Sequence, residues 1–303
     1  MKISNAIFLG SKKFGFEIFK SMYLSEKAVK WTIICPDDKN DTRTYLSKFK
    51  NFANKNNIKI NIFNSKKRIF DYLKKKKSNL MIVCGYYEII PFKVLSFFNQ
   101  GVWGIHNSLL PKYRGGSPLV WQIINGEKEI GSSFFKFSKG IDNGPIYKNI
   151  KISNLKRLNI NQISKLIENR WKHEIPKFWK SFCEGRFLLT KQNEKKATYF
   201  KIRNEKDGLI NWTKRPKEID NFIKAQVFPY PGAHFFIKNL KIKIINYSFL
   251  KKQIKGTPGK IYKIRSNYIL IICKNNSLIK ITKIDKINGK TYSFKKLKKF
   301  LKI

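Results

Sequence analysis

The sequence predicts an α/β chain: a doubly wound, mostly parallel sheet followed by a smaller, β-barrel-like C-terminal domain. Three observations predict it. The first hundred residues alternate short apolar runs with amphipathic ones, a long amphipathic stretch spans 161–185, and from 235 onward short strand-like runs are split by turns. A β-α-β-α rhythm is the pattern of a parallel sheet with helices on both faces.

The elements follow in order. Residues 3–9 form a strand, and 12–22 have helical spacing through Phe14, Ile18, Phe19 and Met22. Residues 29–35 are a second strand and 45–53 a second helix; 58–63 are a third strand, 68–75 a helix and 80–84 a fourth strand. Gly10 closes the first strand, where such sheets place their sites. The run Gly10-Ser11-Lys12-Lys13-Phe14-Gly15 lacks dinucleotide-fingerprint spacing. The 161–185 helix carries Ile163, Leu166, Ile167, Trp171, Ile175, Phe178, Trp179 and Phe182 on one stripe, with Pro176 as a kink candidate. A short helix is expected at 216–226. The region 235–303 reads as strands separated by turns such as Thr257-Pro258-Gly259 and Asn288-Gly289. The expected domains are 1–190, a connecting segment 191–234 and 235–303.

Composition narrows the function classes. The 303 residues carry 64 Lys+Arg against 19 Asp+Glu, a net charge of +45, with 42% hydrophobic and 15% aromatic residues. That content excludes a disordered chain. No apolar run reaches the roughly 18 residues of a membrane span, and the N-terminus has too short an apolar stretch for a secretory signal. A cytoplasmic protein without membrane contact is expected. The charge attracts anions at long range, but 55 of the 64 basic residues are Lys. Lys, Ile and Asn together are what A/T-rich codon usage enriches, and Arg is the residue that clamps phosphate at two points. Runs such as Lys74-Lys75-Lys76-Lys77, Lys195-Lys196, Lys251-Lys252 and 295–302 are dispersed. Cys35, Cys84, Cys183 and Cys273 are far apart and form no Cys-x-x-Cys pair, which argues against disulfides and zinc. No metal is expected.

The informative stretch is 101–147. In Gly104-Ile105-His106-Asn107-Ser108-Leu109-Leu110-Pro111-Lys112-Tyr113-Arg114-Gly115-Gly116-Ser117-Pro118 a strand ends in a His and a tightly turned loop follows. In Gly140-Ile141-Asp142-Asn143-Gly144-Pro145 an Asp sits between glycines. A His beside an Asp forms a tunable acid-base pair. A packed His and a turn-forming Asp remain the competing account from these residues alone.

These residues resemble the signature of the formyltransferases that use 10-formyltetrahydrofolate, a family with tRNA-directed and amino-sugar-directed members. The Asn-x-His-x-Ser-Leu-Leu-Pro-x-x-Arg-Gly motif is matched from His106 through Ser108-Leu109-Leu110-Pro111 to Arg114-Gly115, and Asp-x-Gly by Asp142-Asn143-Gly144. The frame continues in Pro118-Leu119-Val120-Trp121, Asn125-Gly126-Glu127 and Gly131-Ser132-Ser133. Gly85-Tyr86-Tyr87-Glu88-Ile89-Ile90-Pro91 is similar to the family's folate loop. Ala197-Thr198-Tyr199-Phe200, 207–212 and Pro229-Tyr230-Pro231-Gly232-Ala233 are similar to its lead into a β-rich C-terminal domain.

The resemblance implies a Rossmann-like catalytic domain over 1–190 and the following roles. His106 and Asp142 are catalytic. Tyr86, Ile89, Ile90, Gly140 and Ile141 line the folate. Ser108, Lys112 and Arg114 meet the acceptor. One position departs: the family's catalytic Asn, two residues before the His, is Gly104. Loss of one oxyanion donor costs about 10²–10³ in rate. Asn107 is the candidate replacement, provided the strand has turned by that point, because neighbouring strand residues face opposite ways. On that reading Gly104→Asn raises activity or leaves it unchanged.

The donor implied is 10-formyltetrahydrofolate. The acceptor expected is the amine of a nucleotide-linked amino sugar, because Cys35-Pro36-Asp37-Asp38-Lys39-Asn40-Asp41-Thr42-Arg43 runs straight into a helix, whereas the resembling tRNA enzymes carry a longer basic loop there. Methionyl-tRNA is the alternative, favoured by charge, length and the C-terminal domain. A non-catalytic folate- or nucleic-acid-binding protein is the third account. A homodimer is the assembly to be tested.

Overall fold

A computed structural model describes residues 2–76, 78–285 and 293–301. Its elements run β1 (Asn5–Leu9), α1 (Lys13–Ser25), β2 (Lys30–Pro36), α2 (Leu46–Lys55), β3 (Lys59–Phe63), α3 (Lys66–Lys75), β4 (Leu80–Val83), α4 (Phe92–Leu95) and β5 (Val102–His106). There follow β6 (Arg114–Gly115), α5 (Pro118–Ile124), β7 (Glu129–Lys136), β8 (Ile146–Ser153), α6 (Ile160–Cys183), β9 (Tyr199–Phe200) and α7 (Pro216–Lys224). The chain closes with β10 (His234–Ile237), β11 (Leu240–Gln253), β12 (Ile261–Ile264), β13 (Ile269–Ile272), β14 (Ser277–Ile284) and α8 (Phe294–Leu301).

The chain divides into two compact units: 1–118 with 129–153 and 163–201, and 119–128 with 154–162 and 202–303. The first unit holds a seven-stranded sheet in the order β3-β2-β1-β4-β5-β7-β8. Its first five strands are parallel, and β7 and β8 are added antiparallel. This is the doubly wound, mostly parallel, Rossmann-like sheet that the sequence predicts. The order reverses between β1 and β4, so the carboxyl ends of β1, β4 and β5 frame the crevice where such sheets bind ligands.

Both faces of the sheet are covered, which is why its central strands are apolar throughout. β4 is buried at all four residues. Ile7 and Leu9 join a cluster with Ile69, Leu73 and Val94. Between them Phe8 turns to the other face, its ring 5.0 Å from Phe19 and 5.8 Å from Phe49. Period-two alternation thus puts α1 and α2 on one face and α3 and α4 on the other. The α6 stripe packs as its spacing requires: Trp171 and Trp179 are fully buried, and Trp179 stacks on Trp31 at 6.0 Å. Pro176 lies inside α6, which continues past it.

The second unit carries an open five-stranded antiparallel sheet, β10-β11-β14-β13-β12. Its core collects Ile242, Ile244, Ile269, Ile271, Ile279 and Ile281. The C-terminal stretch departs from the expected strands: 294–301 is the helix α8, with Phe294 and Leu297 buried and Lys295, Lys296, Lys298 and Lys299 exposed. Two apolar anchors three residues apart set a helical stripe, and the lysines between them obscure it in the sequence. The Asn288-Gly289 turn, Lys77 and Lys302 lie outside the described residues. All four cysteines are buried and free. Among the described residues no helix is long and apolar enough to cross a membrane, and no group of three or more metal-ligating side chains is present.

The switch point is closed by backbone contact. A Cβ added at Gly10 would lie 1.9 Å from the Cys84 carbonyl oxygen, and one at Gly15 2.2 Å from it. This lets the first turn of α1 approach the end of β4. In an open helix Gly→Ala stabilises by about 1 kcal/mol. Here the sign reverses: Gly15→Ala is expected to lower stability by about 1–3 kcal/mol, the range of an overpacked core. A raised urea midpoint would contradict it.

Candidate active site

His106 ends β5, paired in register with Ser133 of β7. The loop after it is fixed from both sides. Ser133 Oγ donates to the Ser108 carbonyl (2.7 Å) and accepts from the Leu110 N–H (3.1 Å). Further on, Tyr113 takes the left-handed conformation (φ 60°), donates its N–H to Thr198 Oγ1 (2.8 Å) and stacks on Phe200 at 4.8 Å. Then β6 pairs with β9. The loop folds its Tyr113 carbonyl back to 2.7 Å from His106 Nε2.

Asp142 arrives from the β7–β8 connection, also left-handed (φ 48°). Its Oδ2 accepts the Gly115 N–H at 2.8 Å and lies 3.5 Å from His106 Nδ1. Both imidazole nitrogens therefore face oxygen atoms. The side chains of His106 and Asp142 are 10% and 22% exposed. The pair is sheltered yet reachable, and the two motifs, 36 positions apart, converge.

Gly104 lies on the same face of β5 as His106, two residues before it, and the ring of Phe137 takes the neighbouring space. A Cβ at 104 would sit 2.6 Å from Phe137 Cε1 and 2.8 Å from the Val83 carbonyl oxygen. Phe137 stacks on Phe135 at 5.0 Å, and Phe135 is edge-on to the His106 ring at 6.4 Å. The wall beside the imidazole is aromatic. An Asn side chain at 104 therefore needs Phe137 to move and meets the Val83 backbone, which weighs on the expectation that Gly104→Asn raises activity or leaves it unchanged. Sequence reasoning missed Phe137 because it sits in an ordinary apolar run.

Other expected site residues need correction too. Asn107 faces away from the pair: its Oδ1 accepts from Ser132 Oγ (3.0 Å), the hydroxyl that also takes Trp171 Nε1–H (3.0 Å). The strand has not turned enough to aim Asn107 at His106. Arg114 is fully buried and so is not placed to meet an acceptor. Its guanidinium donates to Gln192 Oε1, to both Glu194 oxygens and to the Tyr199 hydroxyl. Ser108 is fully buried, and its hydroxyl is committed to the Lys112 carbonyl (2.6 Å). Lys112 itself is exposed. Tyr86 and Ile90 pack on the cluster that also holds Phe137, whereas Ile89 is 81% exposed and forms no part of an apolar wall. Gly140 and Ile141 are exposed beside Asp142.

The loop after β2 is an ion-pair knot. Lys12 is bonded to Asp38 and, at 2.7 Å, to Asp41; Arg43 also binds Asp41. Ser11 and Thr44 donate to Asp38 at 2.7 and 2.6 Å. The Tyr87 ring lies 5.8 Å from Lys12 Nζ and 5.3 Å from Arg43 Cζ. Burial pushes both carboxyls upward, but at Asp38 the hydrogen bonds from Lys12, Thr44 and Ser11 outweigh it. At Asp41 those from Arg43 and Lys12 do the same, and both groups are held below the usual carboxylate range. A groove of about 550 Å³ lined by Tyr147, Lys148, Phe178, Arg186, Phe187 and Leu188 shares no residue with the His106–Asp142 site.

Comparison with known proteins matches two consecutive stretches of the chain. A family model described as formyl transferase matches residues 4–176, and one described as formyl transferase, C-terminal domain, matches residues 201–300. The chain is 29% identical over 285 residues to methionyl-tRNA formyltransferase of Pelagibacter ubique, covering 92% of this chain and 90% of that protein. It is 31% identical over 250 residues to the enzyme of the same name from Malacoplasma penetrans, covering 82% and 78%. To the bifunctional polymyxin resistance protein ArnA of Wigglesworthia glossinidia brevipalpis it is 30% identical over 283 residues, 87% of this chain and 42% of that protein. Among solved structures, WlaRD, a sugar 3N-formyl transferase with dTDP and 5-N-formyl-THF, matches with TM-score 0.69 and 20% identity, covering 94% of this chain and all of that one. The N-formyltransferase from Helicobacter canadensis, with folinic acid and dTDP-3-aminofucose, gives 0.70 and 18%, covering 92% and 99%. These two support the fold.

Two predictions come from this geometry. Gly104→Asn is expected to lower stability by about 1–3 kcal/mol through overpacking; Phe137→Ala is expected to recover part of that loss when combined with Gly104→Asn, while destabilising the wild type. Simple additivity of the two would contradict the packing account. Depressed carboxyls contribute stability in full above the ordinary Asp value of about 3.9 and lose it as pH falls through their folded-state values. Unfolding free energy is therefore expected to drop as pH falls below about 4. Lys12→Met should flatten that drop, and an unchanged pH profile in the variant would argue against the knot.

Proposed function

The chain belongs to the formyl transferase family, and on that premise we propose that it moves a formyl group from 10-formyltetrahydrofolate to the amine of methionyl-tRNA. The observation that carries the transfer is the 3.5 Å approach of His106 Nδ1 to Asp142 Oδ2 at the carboxyl end of β5. The acceptor amine attacks the formyl carbon, and the C=O electron pair moves to oxygen. The C–N10 bond then breaks, N10 leaves with a proton as tetrahydrofolate, and the amine is left as a formamide. Asp142 Oδ1 takes the proton the amine sheds, because Oδ2 is held by Gly115. The Nε2–H of His106 is taken by the Tyr113 carbonyl, so Nδ1, beside Asp142 Oδ2, is the ring nitrogen that acts with the carboxylate. Phe137 keeps water from one side.

The folate fits what the crevice offers. Tyr86 is half-buried in the loop after β4, and its hydroxyl has no hydrogen-bond partner in the protein. That hydroxyl is buried, so the loop after β4 has to open for the polar ring edge of a pteridine to reach it. Burial pushes that phenol up to about 12, so it stays a donor at all physiological pH.

Methionyl-tRNA is favoured as acceptor by the distribution of charge. Residues 221–303 contain twenty Lys and Arg against a single acid, Asp285. Codon drift would enrich lysine along the whole chain, but it does not explain why 18 of the 19 acids lie before residue 221. Lys251, Lys252, Lys263, Lys295 and Lys298 of this unit are exposed. The C-terminal formyl transferase domain model covers this region. A nucleotide-linked amino sugar is the second reading, favoured by one observation: the loop after β2 spends Lys12 and Arg43 on its own Asp38 and Asp41 and offers little to a polyanion.

Tetrahydrofolate release with methionyl-tRNA and with amino-sugar nucleotides tests both readings. Log KM for tRNA should rise with log salt at a slope of about 0.7–0.9 per phosphate contacted. Replacing Lys295, Lys296, Lys298 and Lys299 by Gln should raise that KM and leave the folate KM alone. A salt-independent KM, or turnover with the sugar alone, would overturn the tRNA reading; no turnover with either acceptor would favour binding without chemistry. Asp142→Ala is expected to cost about 10²–10⁴ in kcat/KM.

A further inference from the structure

We propose that Gln192, clamped by Arg114, is a positioning residue that holds the Asp142 turn in its working conformation; the proposal rests on the catalytic reading of Asp142 given above. Gln192 is 5% exposed and comes from the segment before β9, some fifty residues beyond the turn it supports. Its Nε2 donates to the carbonyl oxygens of Asp142 and Gly144, each at 2.7 Å. The first of these carbonyls belongs to the left-handed residue that aims the carboxylate, and the second lies two residues on. Within the turn the Lys136 N–H bonds the Pro145 carbonyl at its base and the Ser138 hydroxyl bonds Asn143; the Gln192 amide holds the backbone between, at Asp142 and Gly144.

The orientation of the amide is fixed in turn. Gln192 Oε1 accepts from Arg114 Nε at 3.1 Å and Nη2 at 2.8 Å. With the oxygen occupied by two guanidinium donors, the NH₂ group can point only at the turn. Arg114 is set by Glu194, at 2.7 and 2.8 Å, and by the Tyr199 hydroxyl at 2.6 Å. Glu194 lies at the surface while Arg114 is fully buried, and the hydrogen bond between them holds the Arg114 pKa above its ordinary value. Arg114 is the same residue whose backbone pairs with β9 and whose successor, Gly115, donates its N–H to Asp142 Oδ2. One element thus fixes the turn twice: through Gly115 at the carboxylate, and through Gln192 at the backbone beneath it. Lys in place of Arg114 could not supply both donors to Oε1 from one rigid plane.

Gln192→Glu tests the proposal with little change of shape. It keeps an acceptor for Arg114 but puts an oxygen where the two donors were. The expected result is a kcat lowered about 10- to 100-fold, as for a catalytic group left slightly misplaced, with the Kd for tetrahydrofolate unchanged. In an Asp142→Ala background the same change should cost no more than about twofold, because residues that act as a unit are not additive. Amide hydrogen exchange supplies a readout independent of turnover: residues 139–146 should lose protection while β1, β4 and β5 keep theirs. Wild-type kcat in Gln192→Glu, a full multiplicative loss in the Asp142→Ala background, or unchanged exchange at 139–146 would each overturn the clamp. If the wild-type protein showed no formyl transfer, the catalytic reading would fall, and the exchange result alone would still decide whether Gln192 holds the turn.

Discussion

The site depends on one hydrogen bond between two loops: the Gly115 N–H to Asp142 Oδ2, 2.8 Å long. Charge-assisted bonds of this kind are among the stronger ones available to a fold. It joins the loop after β5, which carries His106, to the β7–β8 turn, which carries the carboxylate. Neither loop belongs to the seven-stranded sheet at that point, so the His–Asp approach has to be imposed by such cross-connections. The others serve the same end. Thr198 and β9 fix the backbone around Tyr113 and Arg114, and Ser133 fixes Ser108 and Leu110. The parallel sheet supplies the rigid base, and its order reversal between β1 and β4 supplies the crevice.

Much of this was legible in the amino-acid sequence. The alternation of strands and helices through residue 84 corresponds to β1–β4: β1 and β4 are buried almost throughout and read as continuous apolar runs, while the edge strand β3 is only partly buried and alternates. His106 and Asp142 stood out because one ends a strand and the other sits between glycines. What stayed hidden depends on contacts distant in sequence. Arg114 looks like a solvated loop cation until the 192–199 segment is folded against it. Gln192 lies in a polar, lysine-rich stretch that reads as a connector. Asn107 could be placed only once the register of β5 on β7 was known. Gly104 was visible as a departure, but its consequence lies in Phe137, an aromatic 33 positions away with no signature of its own. The terminal helix α8 was masked by lysines surrounding its two anchors.

The two units carry different physics. In the first, most carboxylates are paired within the fold: Asp38 and Asp41 by Lys12 and Arg43, Glu194 by Arg114, and Glu174 by Lys148 and Lys177. In the second, an isoleucine-rich core supports an antiparallel sheet whose surface lysines outnumber nearby carboxylates many times over. On the proposed function, long-range attraction of an anionic acceptor would fall to that surface and chemistry at the formyl carbon to the sheltered pair.

The central claim is that His106 and Asp142 act as one unit on the formyl group. A double-mutant cycle on single-turnover formyl transfer tests it most directly, comparing His106→Ala, Asp142→Ala and the double variant. Groups that act together predict a double loss no larger than about that of the more damaging single change. Losses that multiply, or a single variant that retains the wild-type rate, would contradict it.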